Sequence, residues 1–201
     1  WPFLRPGLAS PLSPCDSPGA RGAGGSRSAD ALDEAGAALA LLVKFYVSGG
    51  AAAQLAALEF SWAALAGDWF PHLFFDAVPP HVALHVWDLV VLFGGQDQPA
   101  ASDGGDGGGG GGVSEDRVAS VLLWVALGLV GACAGDLGRC ATVDEASLLL
   151  RTAALELGSL ADIPPLALGP KDVAALLPSL RAKARAASRA AAASSSSPGA
   201  E

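Results

Sequence analysis

An all-α fold is predicted by three features of the sequence. No stretch sustains the period-2 alternation of a half-buried strand, apolar positions recur at helical spacing, and Gly, Pro or capping residues punctuate each apolar run. Hydrophobic residues make up 51% of the 201-residue chain, so there is material for a core. Much of it is alanine, which favours helix but contributes little burial per residue.

Residues 1–29 carry Pro2, Pro6, Pro11, Pro14 and Pro18, then a Gly/Ser/Arg run without periodicity, and are expected to be disordered. From Asp30, a candidate N-cap, residues 31–47 read as a helix stopped by Gly49 and Gly50. Residues 52–66 read as a second helix ending at Gly67. Asp68 then caps an expected third helix, in which Trp69, Phe70, Leu73, Phe74 and Ala77 form one broad apolar face. Pro71 falls in its first turn, where proline is tolerated. Pro79 and Pro80 end that helix and open a fourth over residues 80–93. The glycine-dense stretch 94–113 is expected to be a flexible insertion, because glycine loses the most backbone freedom on ordering.

Ser114 can cap a long helix over 115–135, with Glu115 and Asp116 near the positive end of its dipole. Thr142 and Glu145 make a capping box for the next helix, which Gly158 follows. Beyond Pro164 and Pro165 a last helix starts near Lys171, is interrupted near Pro178 and continues as an Ala/Arg segment. The expected organisation is a low-complexity head (1–29), a helical region (30–180) of six or seven helices, and a basic Ala-rich helix with a disordered tail (181–201).

Composition narrows the function classes. A net charge of -8 argues against nucleic acid as a general partner, because phosphate binding needs clustered Lys and Arg. Cys15, Cys133 and Cys140 are an odd set without Cys-x-x-Cys spacing, which argues against a disulfide framework or zinc site and for a reducing compartment. The chain contains no Met, begins at Trp1, and has no apolar signal segment in residues 1–29. It is therefore expected to be a piece of a longer protein, working in the cytosol.

Residues 118–135 carry no charge over 18 residues, the lower length for a membrane span. They lack aromatic belts and a one-sided Lys/Arg cluster, so a central core helix is the favoured reading and a single membrane span the weaker one.

His81, His85 and Asp88 share one face of the fourth helix at i, i+4, i+7 spacing. Such a trio could hold a metal, but Val82 stands where a His-Glu-x-x-His pattern needs its glutamate. A polar stripe on a mostly buried helix, with Asp88 bonding a neighbouring helix end, is the favoured reading. His72 and Asp76 read as a local hydrogen-bonded pair rather than a catalytic dyad, since no Gly-x-Ser-x-Gly elbow exists. The glycine run at 104–112 lacks the Gly-Lys-Ser/Thr of a phosphate loop. Arg181, Lys183, Arg185 and Arg189 could meet a membrane surface or an acidic partner, with a solvated terminal helix favoured. No catalytic residue, metal ligand or cofactor is assigned.

The segment Trp69-Phe70-x-x-x-Phe74, then Pro79, then Trp87-Asp88, resembles the late signature of TBC domains, the Rab GTPase-activating domains. In that family a Trp-Phe helix is followed by a Pro-led helix ending in Trp-Asp, a glycine-bearing turn and a long apolar helix. The resemblance implies a multi-helix lobe in which Trp69, Phe74 and Trp87 anchor the core and Asp88 is a buried or half-buried acceptor tying helices together. It also implies a Rab-type small GTPase as partner, a role in vesicle trafficking, and peripheral recruitment to endomembranes. His85 stands where the family often has Arg, and the Gly-rich insertion is unusually long. The family's catalytic arginine and glutamine lie in Ile-x-x-Asp-x-x-Arg and Tyr-x-Gln motifs, N-terminal to the part matched here. Neither motif occurs in this chain: the only tyrosine, Tyr46, is followed by Val47 and Ser48. The expectation is the C-terminal part of a Rab GTPase activator, lacking both catalytic residues, with a non-catalytic helical partner-binding module as the alternative.

Overall fold

The computed structural model describes residues 25–47, 50–94, 115–164 and 166–195. Among them the regular structure is helical throughout: α1 (Gly25–Tyr46), α2 (Ala51–Ala57), α3 (Trp62–Trp69), α4 (Pro80–Gly94), α5 (Glu115–Ala132), α6 (Ala134–Leu137), α7 (Val143–Leu155), a 3-10 turn (Leu160–Asp162) and α8 (Pro170–Ser195). The first helix starts earlier than expected: residues 25–29, read as part of the disordered head, form the first turns of α1, so Asp30 lies inside the helix rather than at its cap. The remainder of the expected disordered head (1–24), residues 196–201, most of the 94–113 insertion, the Ser114 cap and Cys15 lie outside the described residues.

The all-α expectation holds. The uncharged run resolves into a central core helix, α5, in which Ser120 to Val130 are all buried apart from half-buried Trp124. α1, α4, α6, α7 and α8 all pack on it. Ser120, the one polar side chain in that stretch, returns its hydroxyl to the Arg117 carbonyl at 2.8 Å, so no buried donor is left unmade. The Trp124 indole donates to the Leu168 carbonyl at 2.8 Å and ties the segment before α8 to α5. No described helix is long and apolar enough to cross a membrane. α5 carries Glu115, Asp116 and Arg117 in its first turn, and the helix stops at Ala132.

Three further elements differ from expectation. The second helix does not run from 52 to 66 but breaks after Ala57, because the chain there closes in a Schellman motif. Phe60 N–H bonds Leu55 O at 3.0 Å, and Glu59 N–H bonds Ala56 O at 3.1 Å. Glu59 takes the left-handed conformation (φ 54) that the motif requires. Ser61 then caps α3, its hydroxyl accepting from Ala64 N–H at 3.2 Å, which places Asp68 inside α3 rather than at a cap. The third helix expected from Asp68 onward does not form, since residues 70–78 are turns. Finally, α8 runs through Pro178 without interruption. Val173, Leu177, Leu180 and Ala184 are buried at i, i+4, i+7, i+11 spacing on both sides of it, and the proline ring lies on the exposed face. Burial of that stripe against α1 and α5 outweighs the lost backbone bond.

The capping box at α7 is present with a one-residue shift. Thr142 Oγ1 accepts from Glu145 N–H at 3.2 Å, while the Glu145 carboxylate accepts from Ala141 N–H at 2.7 Å. The basic segment is partly tied down rather than simply solvated. Arg185 reaches the Glu34 carboxylate with two nitrogens, at 3.0 and 3.1 Å. Arg181 bonds Glu34 at 3.1 Å and also reaches Asp116, so one carboxylate pair clamps α8 to α1 and α5.

α1 and α3 meet at closest approach through Gly36. A Cβ there would lie 2.6 Å from Ala63 N and 2.7 Å from Trp62 C, both immobile backbone atoms. Gly36→Ala is therefore expected to destabilise by about 1–3 kcal/mol despite alanine's better helix propensity. Gly67 in α3 meets nothing nearer than Leu32 Cδ1 at 4.0 Å, so Gly67→Ala should be neutral or stabilise by up to about 1 kcal/mol. Urea denaturation of the two variants reads both signs.

Candidate functional site

The residues that carry the sequence signature come together around the turn between α3 and α4. Phe74 N–H bonds Trp69 O at 2.8 Å, and Leu73 N–H bonds Phe70 O at 3.1 Å inside it. This is a second Schellman closure, and its apolar contact falls between the residues that bracket it: the Trp69 and Phe74 rings lie 5.4 Å apart, with Phe70 6.0 Å from Phe74. The Trp-to-Phe spacing of five is thus the spacing of the closure, not of a helical face. Leu73 (φ 48) and Phe74 (φ 65) are both left-handed without being glycine. That conformation costs about 1–2 kcal/mol per residue. Complete burial of Phe74 and near-complete burial of Trp69 offset it.

Pro79 and Pro80 then open α4 as expected. The Pro79 carbonyl accepts from Val82 at 2.9 Å and Ala83 at 3.0 Å, and Pro80 takes the first helical position. Val82, Ala83, Val86 and Val90 are buried in the core, and α4 packs on α5. His81 fixes the start of the helix from outside: its Nε2–H donates to the Gly158 carbonyl after α7 at 2.8 Å. Arg117 of α5 donates to the Phe93 carbonyl at 3.3 Å near the other end.

Two signature residues sit elsewhere than expected. Trp87 is not a core anchor; it is 39% exposed. Its indole N–H donates to the Leu73 carbonyl at 3.2 Å, and its ring lies 6.0 Å from Phe75, so it covers the strained turn from the solvent side. Asp88 is not a buried acceptor. It is exposed and accepts no hydrogen bond from a described residue, because its face of α4 points away from α5. His81, His85 and Asp88 form an outward stripe rather than one on a buried surface. No group of three or more His, Cys, Asp or Glu among the described residues is placed to hold a metal ion. His72 and Asp76 do not form the expected hydrogen bond: the left-handed residues between them take the chain off the helical path that i, i+4 pairing needs.

The sequence reading missed the apolar part of that outward face. Leu84 (56% exposed), Trp87 and Val91 (67%) follow each other at i, i+3, i+7, and exposed Phe75 extends the row across the turn. Beside the turn, Asp68, Asp76 and Arg151 line a cleft together with Trp69, Ala77 and Leu155. Asp68 and Arg151 bond at 2.7 Å, but both are more than half exposed, so the pair contributes under about 1 kcal/mol. The arrangement offers an apolar ridge flanked by charge. No protein-family profile, curated protein or solved structure matches the chain.

Cys133 and Cys140 are free and buried. Burial, and second to it the Asp136 carboxylate, pushes the Cys133 thiol above its ordinary value. Burial, then Glu145 and Asp136, does the same to Cys140. Both are therefore neutral, poorly nucleophilic thiols.

Phe74→Ala is expected to cost about 3–5 kcal/mol, because it opens a cavity beneath two left-handed residues. Trp87→Phe, which keeps the ring and loses one partly exposed hydrogen bond, should cost about 0.5–1.5 kcal/mol; chemical denaturation distinguishes the two. A raised thiol pKa gives stability that is complete below pH 9 and is lost as pH climbs through the folded-state values. The unfolding midpoint should thus fall above pH 9, and Cys133→Ala/Cys140→Ala should flatten that fall.

Proposed function

We propose that this chain is the C-terminal, non-catalytic part of a Rab-directed GTPase activator. The observation that carries the reading is that Trp69, Phe70, Phe74, Pro79 and Trp87 serve a single turn-and-helix unit: two aromatic residues close the turn, a proline starts the helix, and an indole returns to cap the turn. In this reading the long apolar helix after the Trp-Asp pair is α5, and the motif's role is to build the lobe rather than to react. Catalysis belongs to an arginine and a glutamine supplied from the N-terminal part of the domain. Such an arginine accelerates hydrolysis about 10³–10⁵-fold.

The test is the transcript upstream of the Trp1 codon, together with single-turnover GTP hydrolysis by a panel of Rab proteins. The proposal expects Ile-x-x-Asp-x-x-Arg followed by Tyr-x-Gln in the same frame. It also expects this chain alone to leave hydrolysis unchanged, while the longer product stimulates it. A complete reading frame with neither motif would sink it.

A specific observation favours a second reading, a helical partner-binding module: the exposed Phe75, Leu84, Trp87 and Val91 row. Contiguous apolar surface of this kind marks contact sites. The full chain should bind a hydrophobic dye at this row, and Leu84→Glu/Val91→Glu should remove most of the signal without changing the helical circular dichroism. Dye binding that the double variant leaves intact would locate the exposed apolar surface elsewhere.

A further inference from the structure

A second surface, built from none of the signature residues, has the form of a receptor for a helix. α1, α2 and α8 frame an open groove of about 500 Å³. Its lining along α1 runs from Ala37 to Lys44, two helical turns or about 10 Å. Alanines of all three helices line its length, with Leu41 and Trp62 as the larger apolar contributors, both half-buried. Alanine walls let another backbone approach closely while Leu41 and Trp62 give its side chains apolar surface to cover.

The charge at the groove is opposite in sign to that of the protein. The chain carries a net charge of -8, yet the charged side chains lining the groove are Lys44 and Lys183. Arg181 and Arg185, neighbours of Lys183 on α8, are spent on Glu34 and Asp116. No described carboxylate pairs with either lysine; the Lys183 ammonium instead lies 5.9 Å from the centre of the Phe45 ring. Two exposed ammonium groups beside an apolar trough select an occupant that brings both apolar surface and carboxylates. The trough is open along its length and most of its lining is partly solvated. A small-molecule site normally encloses most of its ligand, so an open trough two turns long fits a helix better than an acyl chain.

We propose that this groove docks an amphipathic helix of a partner protein, two to three turns long. Its apolar stripe enters the trough, and flanking Glu or Asp carboxylates meet Lys44 and Lys183. The inference stands apart from the GTPase-activator reading, since it uses α1, α2, α8 and Trp62 alone.

The full chain is titrated, by fluorescence anisotropy, into labelled synthetic amphipathic helices whose apolar stripe is Leu, Ile or Met flanked by Glu, and into the same peptides flanked by Lys. Glu-flanked peptides should bind saturably and Lys-flanked ones should not. Lys44→Glu/Lys183→Glu should weaken the first by about tenfold or more and gain the second, since each reversal turns an attraction into a repulsion. Both lysines are exposed, so the fold is retained; circular dichroism checks it. Ala53→Trp, at an exposed groove position, should block binding without altering charge. The proposal is overturned if no Glu-flanked peptide binds, or if the charge-reversed chain binds them as tightly as the parent. It is also overturned if the lysine-dependent ligand proves to be palmitate, phosphatidylserine vesicles or a second copy of the chain instead.

Discussion

The structure depends on keeping α5 dry. From Ser120 to Val130 this helix has no face that tolerates water apart from that of Trp124, so it needs neighbours on all sides. α1, α4, α6, α7 and α8 are those neighbours, and their apolar stripes are the complement of its surface. Packing is close enough that small residues mark the crossings. The position of a Cβ on Gly128 is already occupied by Ile163, just as that on Gly36 would run into the α3 backbone. A core assembled this way has little freedom to shift, because dense interiors respond to volume change as strain rather than as flow.

Satisfaction of polar groups follows from the same arrangement. Gln54 donates to the Cys140 carbonyl at 2.6 Å and fixes α2 to the turn after α6. His81, Trp124 and Arg117 each bond a carbonyl outside their own helix. Four otherwise water-seeking backbone oxygens thereby become joints between elements. Glu34 does for α1, α5 and α8 what these bonds do for the loops: it is the least exposed carboxylate of the ion-pair network and receives both Arg181 and Arg185. Hydrogen bonding to it holds the Arg185 guanidinium even more firmly protonated.

The surface left over is of two kinds. On α4 the outward face mixes histidines and Asp88 with a row of large apolar side chains. Between α1, α2 and α8 the groove is apolar with a basic rim. Both are shaped by helices whose inner faces are committed to the core, so either surface can be altered with modest effect on stability. Separate positions allow contacts at one to be perturbed without touching the other.

Local signals were legible in the sequence wherever chemistry acts within a few residues: the Thr142–Glu145 cap, Pro80 opening α4, and the absence of strand alternation. The centrality of α5 was legible too, since an uncharged run without membrane flanks has to be covered by protein. Three things were decided only by tertiary contacts. Trp69, Phe70, Leu73, Phe74 and Ala77 fit a helical face on paper, yet burial of Trp69 against Phe74 holds two residues left-handed and closes the chain into a turn. Pro178 reads as a break, yet buried residues on both sides of it keep α8 continuous. In α4 the His81, His85 and Asp88 stripe already marked one polar face, but only the position of α5 decided that this face turns outward and carries Trp87, Leu84 and Val91 with it. Sequence specifies the interactions available to each segment, and the single shared core determines which of them are made.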